Sequence, residues 1–146
     1  MAVETFLDFL KENNLDIEVV ITKQPTHTAL QAAQTHGVPV CNIVKSLLVK
    51  IDNDFVLFLV PGDRRLDLED LKKRFNSNSV FMANANDVKQ ITGYSIGGVP
   101  PFGHIKKLKT YIEAGFDNNS SLVAAAGSNN SVFKISLEKL KSIVSQ

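Results

Sequence analysis

From Thr92 to His104 the chain reads Thr-Gly-Tyr-Ser-Ile-Gly-Gly-Val-Pro-Pro-Phe-Gly-His, a run that holds four of its eight glycines and two of its five prolines. No helix and no interior strand can pass through such a run. Proline has no N–H for a ladder, and glycine loses too much freedom inside a regular element. Glycine also lets backbone approach backbone or ligand closely, while proline fixes φ and stiffens the path. A loop that is both permissive and stiff suits the rigid wall of a pocket. It equally suits a long turn that only joins two elements. Every other segment must fold around it.

The flanking segments alternate between helical and extended patterns. Val3, Phe6, Leu7 and Leu10 recur at helical spacing, which predicts an amphipathic helix from Val3 to Asn13. The β-branched run Ile17 to Thr22 predicts a strand. Thr28 caps a helix that runs to His36 with Gly37 just past its end, and Ala29, Ala32 and Ala33 give that helix a small-residue side. Ile43 to Ile51 and Phe55 to Val60 form a hairpin about Asp52-Asn53. Both strands are apolar on both faces, so the sheet should be covered on both sides. A helix follows from Asp67 to Phe75, then a short strand from Val80 to Met82, then a helix capped by Asn84 through Ile91. Beyond the glycine–proline run come strands at Lys109 to Ile112, Leu122 to Ala126 and Val132 to Ile135. Ser136 caps a last helix. This mixed order predicts an α/β fold with a mixed sheet and helices around it.

Few residues stand out as carriers of chemistry. Lys45 is a charge in an apolar strand, on one face with Ile43, Leu47 and Val49, while Ser46 faces the other way with Val44 and Leu48. Such a lysine either snorkels to water at the sheet end or binds an anion at the floor of a pocket. Arg64 and Arg65, after Pro61-Gly62-Asp63, form either a solvated turn or a phosphate clamp. His36 precedes the helix-ending Gly37, where a cation suits the helix dipole, and reads as structural. His27 and His104 are both near enough to loops to reach a pocket, without metal-ligand spacing. Cys41 has no neighbouring base or cation and reads as a small buried residue, not a nucleophile. There is no Gly-x-Ser-x-Gly elbow and no Walker-type phosphate loop, and the glycine run lacks dinucleotide spacing.

Composition narrows the function classes. A net charge of +1 excludes a protein that coats nucleic acid, but not one that grips a short nucleic-acid end. One cysteine excludes an internal disulfide and a cysteine metal cluster, as expected of a cytoplasmic protein. No segment is apolar enough to cross a membrane or to serve as a leader. The length predicts a single domain over residues 1–146. No cofactor and no metal is expected.

Five blocks in order resemble the YbaK and prolyl-tRNA synthetase-associated domain family. They are Thr28-Ala29 with Ala32-Ala33 and Gly37-Val38; Ile43-Val44-Lys45-Ser46-Leu47; Val60 to Asp67; Thr92-Gly93-Tyr94 with Gly97-Gly98 and Pro100-Pro101-Phe102-Gly103; and Ala125-Ala126-Gly127. The resemblance implies a compact mixed α/β fold with a strongly twisted, partly barrel-like sheet. It also implies hydrolysis, in trans, of the ester that joins a wrong amino acid to tRNA, chiefly proline tRNA. The partners implied are the 3′ end of a mischarged tRNA and, behind it, prolyl-tRNA synthetase.

Carried onto this sequence, the resemblance makes Lys45, Gly98 and Gly127 the catalytic set. Lys45 holds the terminal phosphate, and the glycine backbones offer N–H donors to the oxyanion. Thr28, Ser46, Arg64 and Gly97 are implied to bind substrate, as are Pro101, Phe102, His104 and Ser128. The chain departs from relatives at Ser128-Asn129, where some carry His-Pro or a basic pair, and at Glu113, where relatives often have Asp. Two other readings stand beside the hydrolase: a tRNA-end binding module that has lost turnover, and a small-molecule pocket protein.

Overall fold

The computed structural model describes residues 2–26 and 28–145, so the reading of His27 lies outside the described residues. Its elements are α1 (Ala2–Glu12), β1 (Val19–Ile21), α2 (Ala29–His36), a single 3-10 turn (Val40–Asn42), β2 (Val44–Ile51), β3 (Asp54–Pro61), α3 (Leu68–Arg74), β4 (Val80–Met82), α4 (Ala85–Thr92), β5 (Lys109–Ile112), β6 (Leu122–Ala125), β7 (Ser131–Ile135) and α5 (Leu137–Val144). Thr28, Asp67, Asn84 and Ser136 each accept a backbone N–H in the first turn of the helix that follows, which fixes where α2, α3, α4 and α5 begin.

The β2–β3 hairpin is the spine. Its register runs from Val44 opposite Pro61 to Ile51 opposite Asp54. β4 adds antiparallel to the far half of β2, and β5 adds parallel to β3, giving the order β4-β2-β3-β5. A second, antiparallel sheet has the order β1-β7-β6. One parallel bridge, Ile43 to Val123, joins the two sheets where β2 begins. The partly closed mixed sheet is therefore built as two sheets that meet at a seam.

Alternation along the hairpin explains its two-sided apolar pattern. Val44, Leu48, Leu57 and Leu59 point into the main core with Phe6, Leu10, Tyr94, Phe102, Phe133 and Leu140. Val49, Ile51, Val56, Phe58 and Val60 point the other way, onto Leu71 of α3. Helix α1 buries Phe6 and Leu10 as expected, but Leu7 is exposed and Phe9 is half-buried in its place. The inward stripe is rotated because the Phe9 ring packs on Phe102, 6.0 Å between centroids.

The 3-10 turn has no periodicity to announce it, yet it secures the seam. Asn42 is fully buried. Its Nδ2 donates to the carbonyls of Asp117 (3.0 Å), Ser120 (3.2 Å) and Ser121 (3.2 Å), and its Oδ1 accepts the Asp117 N–H (2.8 Å). The entry to β6 is thereby fixed to the entry to β2. Asn42→Ala leaves these buried groups without partners and is expected to cost roughly 2–4 kcal/mol. Urea unfolding of the variant measures this, and a loss below about 1 kcal/mol would contradict it.

Candidate active site

The glycine–proline run is held closed by its own polar groups. Thr92 Oγ1 donates to the Val88 carbonyl (2.6 Å) and accepts the Tyr94 N–H (3.0 Å), and the Ile105 N–H donates to the Thr92 carbonyl (3.0 Å). Tyr94 Oη donates to the Gly103 carbonyl (2.8 Å). Burial pushes the Tyr94 hydroxyl up to about 12, so it remains a donor. His104 Nε2 lies 2.7 Å from the Pro100 carbonyl and must carry its proton there. Burial lowers the His104 pKa, and the bond to Pro100 opposes that shift, so the ring is neutral at pH 7. Phe102 anchors the loop from behind, against Phe6 and Phe133 (5.6 Å each).

The tip of this loop docks on the turn after β6. A Cβ on Gly98 would stand 2.8 Å from both the Gly127 carbonyl oxygen and Ser128 Cα. Only glycine permits that approach. Gly127 has φ +112°, and a Cβ there would stand 2.6 Å from the Ala2 carbonyl oxygen. On the far side of the docked tip, the turn is tied internally. Ser128 Oγ donates to Asn130 Oδ1 (2.8 Å), and Ser131 Oγ accepts the Ser128 N–H (3.1 Å).

Between these parts lies a cleft of about 430 Å³. Its floor is the start of β2, from Ile43 to Leu48. One wall is Ala29 and Ala32 of α2, with Thr26 and Thr28 before them; the other is Val123, Ala124 and Ala125 of β6. Ile96, Gly97, Ser128 and Asn129 stand along the loop side, and Met82 and Val88 complete the lining beside β4 and α4. The small alanines of α2 and β6 leave the space open. Two polar features mark the floor. The Lys45 ammonium donates to the Arg64 carbonyl, and its pKa is lowered by burial first and by Arg65 second, with Asp63 opposing. Ser46 Oγ is buried without a hydrogen-bond partner.

Of the residues expected at the site, Thr28, Lys45, Ser46, Gly97 and Ser128 line this cleft together. Thr28 Oγ1 also accepts the Gln31 N–H (3.1 Å), as the cap of α2. The others lie elsewhere. Pro101 and Phe102 are buried behind the loop, and His104 closes it. Gly98 and Gly127 form the contact beneath the rim and do not line the cleft. The Gly98 N–H donates to the Ser95 carbonyl (2.9 Å), so it does not face the cleft as an oxyanion donor. Arg64 lies on the other side of Lys45. Its guanidinium packs over Gly115, and it shares a second hollow of about 210 Å³ with Arg65, Asp67, Asp70 and Glu113.

Glu113 takes a structural part. It accepts from Arg74 with both oxygens (2.7 and 3.2 Å), tying the end of β5 to α3. His36 is not a cation on a helix end: burial first, then Lys134, lowers its pKa, so the imidazole is neutral at pH 7. Met82 and Ile96 of the cleft were missed, and Asn129 was marked only as a departure from relatives. Exposed apolar residues in a short strand and a glycine run give no periodic signal; Ile96 is 62% exposed.

Cys41 Sγ lies 3.5 Å from Asn42 Oδ1 and does not line the cleft. Cys41→Ala is therefore expected to leave any activity of the cleft within about threefold of wild type, in line with thiolate chemistry that needs a base or cation nearby. Complete loss of activity in a folded variant would overturn this. Among the described residues, no three His, Cys, Asp or Glu side chains are grouped to hold a metal ion, and no helix is long and apolar enough to cross a membrane.

Known proteins share this design. The family model for the aminoacyl-tRNA editing domain matches residues 23–143. YwhH of Bacillus subtilis (strain 168), an uncharacterized protein, is 28% identical over 96% of this chain and 89% of its own length. The proline-tRNA ligase of Thermosipho africanus (strain TCF52B) is 33% identical over 77% of this chain but only 22% of the ligase, so the chain spans about a fifth of that enzyme. EbsC of Enterococcus faecalis (strain ATCC 700802 / V583), a candidate Cys-tRNA(Pro)/Cys-tRNA(Cys) deacylase, is 29% identical over 80% of this chain and 71% of its own length. A crystal structure of a candidate trans-editing enzyme for prolyl tRNA synthetase superposes with a TM-score of 0.88 at 30% identity, covering 99% of this chain and 92% of that one.

Proposed function

The chain belongs to the aminoacyl-tRNA editing domain family, and from that premise we propose that it hydrolyses, in trans and as a single cytoplasmic domain, the ester of a mischarged proline tRNA, with cysteine or alanine as the wrong amino acid. The observation that carries this reading is the cleft floor, where Lys45 is the one charged residue among the described lining residues of an otherwise apolar and neutral hollow. A hydrolase of this kind answers a physical limit. A synthetase pocket rejects a smaller or similar side chain by only a few kcal/mol, so a second site removes the errors.

The roles follow from placement. Lys45 anchors the phosphate of the terminal nucleotide, exchanging the Arg64 carbonyl for it. Ser46 belongs to the substrate-binding floor by its place in the lining. Gly97, Thr28 and Ser128 shape the mouth. Arg64 and Arg65 add positive charge along the tRNA end. Gly98 acts through the rim it builds with Gly127, since its own N–H is held by the Ser95 carbonyl. An aminoacyl ester needs no strong nucleophile, so a positioned water or a substrate group suffices, and positioning dominates the rate. The name of EbsC supports cysteine, and the small apolar walls suit either candidate. The proteins named for prolyl-tRNA synthetase support that enzyme as the source of the errors.

The experiment is hydrolysis of proline tRNA charged in turn with Ala, Cys, Ser and Thr. Cys or Ala should be released fastest; release of none would overturn the reading. A second reading, a tRNA-end binding module without turnover, is favoured by the engaged Gly98 N–H and the Lys45–Arg64 bond. It predicts salt-dependent binding of uncharged tRNA with no hydrolysis of any ester in the panel.

A further inference from the structure

Among the described residues, the cleft has one charged residue in its lining, and that charge is positive. Lys45 comes from β2. Arg65 and Asp63 bear on it from the turn after β3 and do not line the cleft. Among the described residues, α2, β4, α4, β6, β7 and the loop tip contribute apolar groups, hydroxyls and the Asn129 amide, but no carboxylate. His36 and Lys134 lie outside the lining. Most of the hydroxyls are engaged: Thr28 with the Gln31 N–H, Ser128 with Asn130, and Ser131 with the Ser128 N–H. Ser46 Oγ alone among the lining side-chain oxygens is buried with no partner.

An aminoacyl ester brings an α-amine into this space. As an ammonium it would enter an apolar cleft beside a like charge and without a counter-ion, an arrangement that strongly disfavours the charged form. A phosphate held by Lys45 matches that lysine and leaves no anion for a second cation. A neutral amine has no such penalty.

We infer that the cleft takes its ester with the α-nitrogen uncharged or absent: it binds the neutral-amine form of an aminoacyl-tRNA and also hydrolyses tRNA esters of α-hydroxy acids of the same size. The inference rests on the editing reading above. The amine proton passes to buffer before binding; water then splits the ester to the free acid and the tRNA hydroxyl.

The test compares two substrates of the wild-type protein from pH 6.0 to 8.5: proline tRNA carrying alanine, and the same tRNA carrying lactate. Each kcat/KM is corrected for spontaneous hydrolysis at the same pH. Taking their ratio cancels hydroxide and every titration on the protein, His27 included. With an α-amino pKa of about 7.7, the neutral fraction falls from about nine-tenths to about one-fiftieth over this range. The alanyl-to-lactyl ratio is therefore expected to fall about fortyfold between pH 8.5 and 6.0, with the lactyl ester hydrolysed throughout. A ratio that stays flat or rises on acidification, or a lactyl ester left intact while the alanyl ester is hydrolysed, overturns this inference alone. Hydrolysis of neither ester at any pH overturns the inference, and the editing reading too if cysteinyl-tRNA also survives.

Discussion

Lys45→Ala is expected to lower single-turnover hydrolysis of mischarged proline tRNA by about a hundredfold or more while the protein stays folded. The loss follows from positioning: a bound ester displaced by about 1 Å loses on the order of a hundredfold in rate. Stability should change by no more than about 1 kcal/mol. Alanine removes the bond to the Arg64 carbonyl, but it also removes the burial that disfavours the lysine's charged form. The sign of the pKa shift agrees. A lysine whose folded pKa lies below its unfolded value carries its penalty while charged, so at neutral pH the variant is relieved of it. Lys45→Arg should recover only part of the rate, since a planar fork does not replace a compact ammonium at the end of a narrow floor. Thermal melting of each variant separates misfolding from lost chemistry. If Lys45→Ala hydrolyses every ester as fast as wild type, the lysine is a snorkelling residue bound to a turn carbonyl.

Gly98→Ala should be the second most damaging change, although Gly98 does not line the cleft. The new methyl group would meet the Gly127 carbonyl oxygen and Ser128 Cα at 2.8 Å, and both are backbone. Neither can move aside as a flexible side chain would, so the loop tip must lift off the turn. Overpacking of this kind costs about 1–3 kcal/mol. Because Gly97 and Ser128 flank the contact and line the cleft, lifting widens the mouth. Hydrolysis is expected to fall at least tenfold, with KM rising as well as kcat falling, since both binding and alignment depend on the rim. A variant with wild-type kcat and KM would show that the contact is dispensable.

Much of this arrangement could be read in the sequence because it depends on local chemistry. The Asp52-Asn53 hairpin, the helix caps Thr28, Asn84 and Ser136 and the odd lysine each follow from residue type and spacing, and the structure has the hairpin and these caps in place, while Asp67, read as the first residue of its helix, is also a cap. What escaped depends on chain segments distant in sequence. Asn42 reads as an ordinary loop residue until residues 117–121 fold over it. Gly98 and Gly127 share the look of oxyanion donors, but the Gly98 N–H is taken up by a turn three residues back. Phe102 and His104 lie in a signature run, and that run turns them inward to hold the loop instead of outward to meet a ligand. Glu113 was legible as a carboxylate, but its bidentate hold on Arg74 needed α3 and β5 to be brought together.

The central claim is that this cleft hydrolyses a mischarged ester. The most direct measurement is single-turnover loss of amino acid from proline tRNA carrying cysteine, alanine or proline, with enzyme in excess. The account predicts release of cysteine or alanine well above the spontaneous rate, with proline retained. Tight binding of all three tRNAs with no release above background would contradict it.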